Sequence, residues 1–177
     1  MKKTSTIFSV IALMMVFSST LLAQTIIENT TAGAKVGKEL AITETAALHF
    51  GTMTIPTGAV NVVLSTVNVR TASIPARITL LSQAPVCQNA AYTVYGGKNE
   101  HYDIALPANN VVTIVSGPNH MHVDSFTART ASQGNGTTGK LSALGIDSFV
   151  IGATLKLMNG QPSGLYTGTF DVTVNYH

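Results

Sequence analysis

An all-β fold, a single antiparallel sandwich behind a removable leader, is what this sequence predicts, and three observations predict it. Apolar residues recur at a spacing of two along most of the chain, the strand period, and no segment sustains a helical period of 3.6. Turn-forming clusters separate the apolar runs at short intervals, at Pro56–Gly58, Gly96–Asn99, Pro107–Asn110, Gly117–Asn119 and Asn159–Pro162. Composition agrees: 45% of residues are hydrophobic and only 10% charged, with 15 Gly and 24 Thr. That balance is too apolar and too poor in charge for a disordered chain.

From the N-terminus, Met1 to Ala23 reads as a secretory signal peptide. Lys2 and Lys3 form its basic start, Ile7 to Leu22 its apolar stretch, and Ala23 a small residue before the expected cut at Gln24. Residues 24–38 form either an N-terminal extension or a first strand, with Ile26, Thr30, Ala32, Ala34 and Val36 on one parity and Glu28 interrupting. Residues 39–177 form one domain, of a size that buries its core without disulfides. Within it, strands are expected at Leu40–Thr43, Leu48–Ile55, Val60–Val69, Ala76–Leu81, Tyr92–Tyr95, Tyr102–Leu106, Val111–Val115 and His122–Ala128. A further strand is expected over Phe149–Leu157, where Phe149, Ile151, Ala153, Leu155 and Leu157 alternate with smaller or polar residues. Residues 131–139, all small or polar, are expected to form a flexible loop. The last strand, Gly164–Tyr176, is the most regular. Tyr166, Gly168, Phe170, Val172, Val174 and Tyr176 make an apolar face opposite Thr167, Thr169, Asp171, Thr173 and Asn175.

The same composition excludes several chemistries. Without Lys2 and Lys3, the eight remaining basic residues equal the eight acidic ones, so no basic footprint for nucleic acid or an anionic membrane exists. One cysteine, Cys87, makes neither an internal disulfide nor a thiolate zinc cluster. Gly134–Lys140 resembles a phosphate loop but has Leu141 where the hydroxyl for magnesium should stand. His120 and His122 share a strand face near Asp124. They read either as two ligands of an incomplete metal set or as solvent-facing imidazoles beside a turn. Cys87 lacks an evident base, and no nucleophile elbow is present. The chain is expected to be no enzyme and to carry no cofactor and no metal.

One resemblance covers residues 40 to 177. Leu48-His-Phe50-Gly51, Tyr92-Thr-Val94-Tyr-Gly96, Tyr102-Asp-Ile104-Ala-Leu106-Pro107, Phe149–Leu155 and the Gly164–Tyr176 strand resemble the bacterial domain-of-unknown-function family 4402. That family is similar to the spore-coat-U and chaperone–usher pilin group, whose subunits end in GxYxDxVxVxVxY; here Gly168 stands at the acidic position and Phe170 at a Val. The resemblance implies an immunoglobulin-like (pilin-like) sandwich of about eight to ten strands that lacks one strand. It implies partners as well: copies of itself or related subunits, a periplasmic chaperone and an outer-membrane usher. The assembly strand would carry Tyr166, Phe170, Val172, Val174 and Tyr176. The expected product is exported to the periplasm, cell surface or medium, without membrane insertion after cleavage, and is a pilin- or adhesin-like subunit built by strand exchange. The alternative is a self-complete monomer binding a glycan or protein through its loops, with residues 131–139 and 117–122 as contacts.

Overall fold

The computed structural model describes residues 37–177. The leader at 1–23 and the donor positions Ile26, Thr30, Ala32, Ala34 and Val36 lie outside the described residues. The described part forms thirteen strands: β1 (Ala41–Ala46), β2 (His49–Phe50), β3 (Val60–Leu64), β4 (Arg70–Ala72), β5 (Cys87–Gln88), β6 (Ala90–Tyr95), β7 (His101–Ala105), β8 (Val112–Ser116), β9 (Asn119–Thr130), β10 (Gly134–Asn135), β11 (Thr138–Lys140), β12 (Ile146–Leu157) and β13 (Thr173–Tyr176). A 3-10 turn at Pro75–Arg77 is the one helical element among the described residues. Every strand pairing is antiparallel, and the architecture is all-β and sandwich-like.

The strand β12 organises the molecule because its alternation is the cleanest. Phe149, Ile151, Ala153, Leu155 and Leu157 all point inward and are buried. Along one edge, its first half pairs with β6, from Ile146↔Tyr95 to Ile151↔Ala90, and its second half with β3, from Ala153↔Leu64 to Leu157↔Val60. Gly152 stands at the hand-over, where a Cβ would lie 2.3 Å from the Leu64 carbonyl oxygen. The other edge pairs with β9. β1 extends the sheet beyond β6, β4 beyond β3, and β8 and β10 beyond β9.

A bulge re-phases β9. Asp124 opposes Thr154 and Thr127 opposes Gly152, leaving an extra residue on β9, and Ser125 takes φ 51°. Inward positions therefore change from Met121 and Val123 to Ala128 and Thr130. A second layer covers this sheet in pieces: β11–β7–β13 over one half, β2–β5 with a bridge at Met53↔Leu80 over the other. The core divides accordingly into two clusters, one around Leu64, Val123 and Leu155, the other around Tyr102, Phe149 and Ile151. Leu48, Phe126 and Phe170 touch both.

Five expectations need correction. Ala76–Leu81 is not a strand, because the 3-10 turn Pro75–Arg77 takes its start and only Leu80 pairs, as a lone bridge to Met53. Leu48–Ile55 is not one strand, because Gly51 at φ 76° breaks it after Phe50 and leaves a lone bridge at Met53. Val60–Val69 stops at Leu64, where Ser65 N–H bonds Val69 O at 2.9 Å and turns the chain into β4. Residues 131–139 are not a loop free of strands. They hold β10 and begin β11, with the buried Thr130 hydroxyl reaching Thr138 O at 3.2 Å. The terminal segment is not continuous either. Thr167 pairs with Val115 of β8, while Thr173–Tyr176 pairs with β7, so the chain crosses from one sheet to the other between them. Gly168 allows the crossing, since a Cβ there would lie 2.7 Å from Thr113 O.

Candidate functional site

Where the second layer is incomplete, the core is open to a groove of about 520 Å³. Its floor is the inward face of the main sheet: Val112 and Ile114 of β8, Met121 and Val123 of β9, Leu155 and Leu157 of β12. One lip is the segment 48–56, the other the segment 161–170. At one end the lips are tied together, for Gly160 N–H donates to Pro56 O at 2.9 Å. Gln161, buried there, donates through Nε2 to His120 O at 3.2 Å and to the Tyr166 hydroxyl at 3.0 Å, which itself donates to Pro162 O at 2.8 Å.

Both lips are extended backbone with one edge used. On the first, Leu81 N–H donates to Thr52 O and Thr54 N–H to Thr79 O, each at 3.0 Å. The N–H and C=O of Met53 therefore point away from that neighbour, on the groove side, and bond no described residue. On the second, Thr167 uses both its N–H and its C=O on Val115, at 3.0 and 2.8 Å. The backbone groups of Tyr166 and Gly168 point the opposite way and likewise bond no described residue. Large apolar side chains stand exposed on the rims, Ile55 at 55% and Leu165 at 70%. Among the described residues, then, an apolar floor lies between two strand edges that have no partner. It can be filled by main-chain pairing on both sides and by alternate apolar side chains below.

The first lip has few ladder bonds, since β2 and β5 pair over only His49↔Gln88 and Phe50↔Cys87. Arg70 supplements them. Its Nη1 donates to Phe50 O at 2.7 Å and Thr52 O at 3.0 Å, and its Nη2 to Leu81 O at 2.7 Å. Arg70 pairs with Leu64 across β3–β4, so it shares the inward parity of a core leucine. Sequence reasoning missed both Arg70 and Gln161. An arginine on the same parity as Ala72, in a chain so poor in charge, was the available signal.

The expected assembly residues divide between two settings. Tyr166 and Phe170 line the groove and pack on the first cluster. Phe170 also stacks at a tilt on Phe126, with ring centroids 5.0 Å apart. Val172 and Val174 are half-buried on the second cluster, away from the groove. Tyr176 is 41% exposed, and its hydroxyl donates to Lys38 O while accepting from Gly97 N–H, both at 2.7 Å. It therefore fastens the C-terminal strand to the point where residues 24–36 join the domain.

The remaining polar candidates are engaged. His120 and His122 lie edge to face at 5.6 Å, and His122 Nδ1 sits 3.3 Å from the Thr113 hydroxyl. Asp124, on the same strand, is buried against the Lys156 ammonium and accepts from Asn110 N–H at 2.5 Å. The Lys156 contact first, and that N–H second, hold its carboxyl below the usual carboxylate range. No group of three His, Cys, Asp or Glu is placed to hold a metal among the described residues. Tyr102 donates to Asp147 Oδ2 at 2.9 Å, and burial foremost, then this bond, raises its pKa. Asp103 meets His177 at 2.9 Å, which lowers its pKa. Cys87 is half-buried in β5 against the first cluster. Gly134–Lys140 runs through β10 and β11 with no helix after it, unlike a phosphate loop.

The family model described as Domain of unknown function (DUF4402) matches residues 40–176. No curated protein and no solved structure matches the chain.

Proposed function

We propose, from the premise that this chain belongs to the DUF4402 family, that it is an exported, non-enzymatic surface subunit whose groove takes up an extended strand from another molecule. The observation that carries the reading is the groove itself, an apolar floor between the backbone edges of Met53 on one side and Tyr166 and Gly168 on the other, none of which bonds a described residue. A strand entering it gains hydrogen bonds on two edges and buries alternate side chains, and it needs neither charge nor cofactor. The donor would be residues 24–36 of a second copy, with Ile26, Thr30, Ala32, Ala34 and Val36 toward the floor. Before assembly, a periplasmic chaperone would occupy the same groove, and an outer-membrane usher would pass the subunit on.

The fold supplies a direction for such assembly. Ala41 starts β1 beside Tyr95 and Ile146, at the first end of β12, whereas the groove floor uses Leu155 and Leu157 at the other. Twelve residues of strand separate these ends by about 36 Å. A donor leaving one end and an acceptor at the other make a head-to-tail contact, which propagates without closing.

The test is electrophoresis in SDS without boiling, on the chain from Gln24 recovered from its native cell surface. A ladder of multimers that collapses to one band on boiling is expected, and a chain lacking residues 24–36 should fold yet yield no ladder. A single monomer band, from a protein that refolds alone, would instead support a closed sandwich working through its loops.

A further inference from the structure

We propose that Arg70 is the positioning residue of the groove, holding the first lip in strand geometry before a partner strand arrives; the inference rests on the strand-accepting reading above. Arg70 belongs to the main sheet, yet all three of its acceptors, Phe50 O, Thr52 O and Leu81 O, belong to the layer opposite. Its planar fork spans the two strands of that layer at the point where they are joined by little else. Neither of the ion pairs among the described residues involves it, so its charge is answered by carbonyl dipoles.

The sequence is cut to fit the clamp. Gly51 lies between the two lip carbonyls to which Nη1 donates, at φ 76°, and a Cβ there would stand 2.4 Å from that nitrogen. The Gly51 N–H folds back onto His49 Nδ1 at 2.8 Å, which fixes the same kink from the other side. With the carbonyls of Phe50 and Thr52 drawn toward Arg70, the N–H and C=O of Met53 are left facing the groove. An occupant then meets an edge already in register and need not order it on arrival, which is where binding free energy is otherwise lost. Lysine keeps the charge but, lacking the fork, cannot serve three carbonyls on two strands.

The experiment compares the Gln24–His177 chain with its Arg70→Lys variant and a control, Tyr102→Phe. The control loses its bond to Asp147 in the other core cluster, away from the groove. Each is refolded at equal concentration. The readouts are thermal unfolding, the fraction in SDS-resistant, heat-dissociable multimers, and hydrogen exchange at the Thr54 and Leu81 amides, which bond Thr79 O and Thr52 O across the lip. Arg70→Lys is expected to fold, to lose about tenfold in multimer yield, equivalent to ~1.4 kcal/mol, and to exchange faster at those amides. Tyr102→Phe should lower the melting temperature while keeping the wild-type yield. Should Arg70→Lys fail to fold, Arg70→Met, which keeps the length of the side chain without leaving an unanswered charge, is expected to fold and to lower the yield in the same way. Wild-type yield from Arg70→Lys, or an equal loss in Tyr102→Phe at matched stability, overturns the role of Arg70 and leaves the strand-accepting reading standing. Absence of multimers from the unaltered chain overturns both.

Discussion

Asp124 shows how a single residue couples this fold to pH. It stands just before the bulge of β9, opposite Thr154 and so on the face away from the core, where its carboxylate meets Lys156 and the Asn110 N–H. Folding lowers its pKa. The contact therefore adds stability above the ordinary carboxylate range, and that contribution is lost as pH falls through the depressed folded value. Asp124→Asn is expected to cost about 2 kcal/mol at neutral pH. The gap from the unaltered protein should narrow below about pH 4, as read by urea unfolding at several pH values; a gap constant across that range contradicts the assignment. This residue was visible in the sequence only as a companion to His120 and His122. Parity placed it on their face and the register keeps it there, but its partners Lys156 and Asn110 come from elsewhere in the chain, which alternation along one strand cannot show. The burial of Arg70 was hidden for a related reason: its register depends on the Ser65–Val69 turn, and the sequence reads as an unbroken strand there.

At the scale of elements, the legible strands were those whose alternation serves one sheet from end to end. β12, β6 and β7 fall close to where periodicity puts them, because each keeps one face on the core along its whole length. The terminal segment also keeps its inward parity, with Tyr166, Phe170, Val172 and Val174 half-buried. Its hydrogen-bond partner changes midway, however, and period two is blind to partners. The groove was illegible for the same cause, since it depends on which edges lack a neighbour. Gly152 marks the complementary case, a point where three strands converge on one residue without a side chain. Gly152→Val is expected to cost about 3 kcal/mol, because the obstruction is the backbone of Leu64 and Ser65 and no rotamer can relieve it. Thermal unfolding measures it, and a loss below about 1 kcal/mol would mean that β3 can withdraw from β12 at little cost.

Across the whole molecule, the scarcity of charge and the incompleteness of the second layer belong together. A surface that relies on Thr, Ser, Asn and Gly suits a protein whose contacts are made by backbone and apolar side chains, and the open floor lies where such a contact would form. The fold class was readable from spacing and turns, while the open groove needed topology. The Tyr176 hydroxyl, holding Lys38 O on one side and Gly97 N–H on the other, has a further consequence. The start and the finish of the folded domain are neighbours, so the order of its strands along the chain is a matter of where the polypeptide happens to be cut. Joining His177 to Lys38 by a short glycine-serine bridge and reopening the chain at Gly117–Pro118, a turn where a Cβ on Gly117 would meet nothing, should give a circular permutant with the same sheets and a closely similar circular dichroism spectrum. That rearranged molecule would keep its groove but have no tail to offer, a terminator for any chain growing by its neighbours' tails.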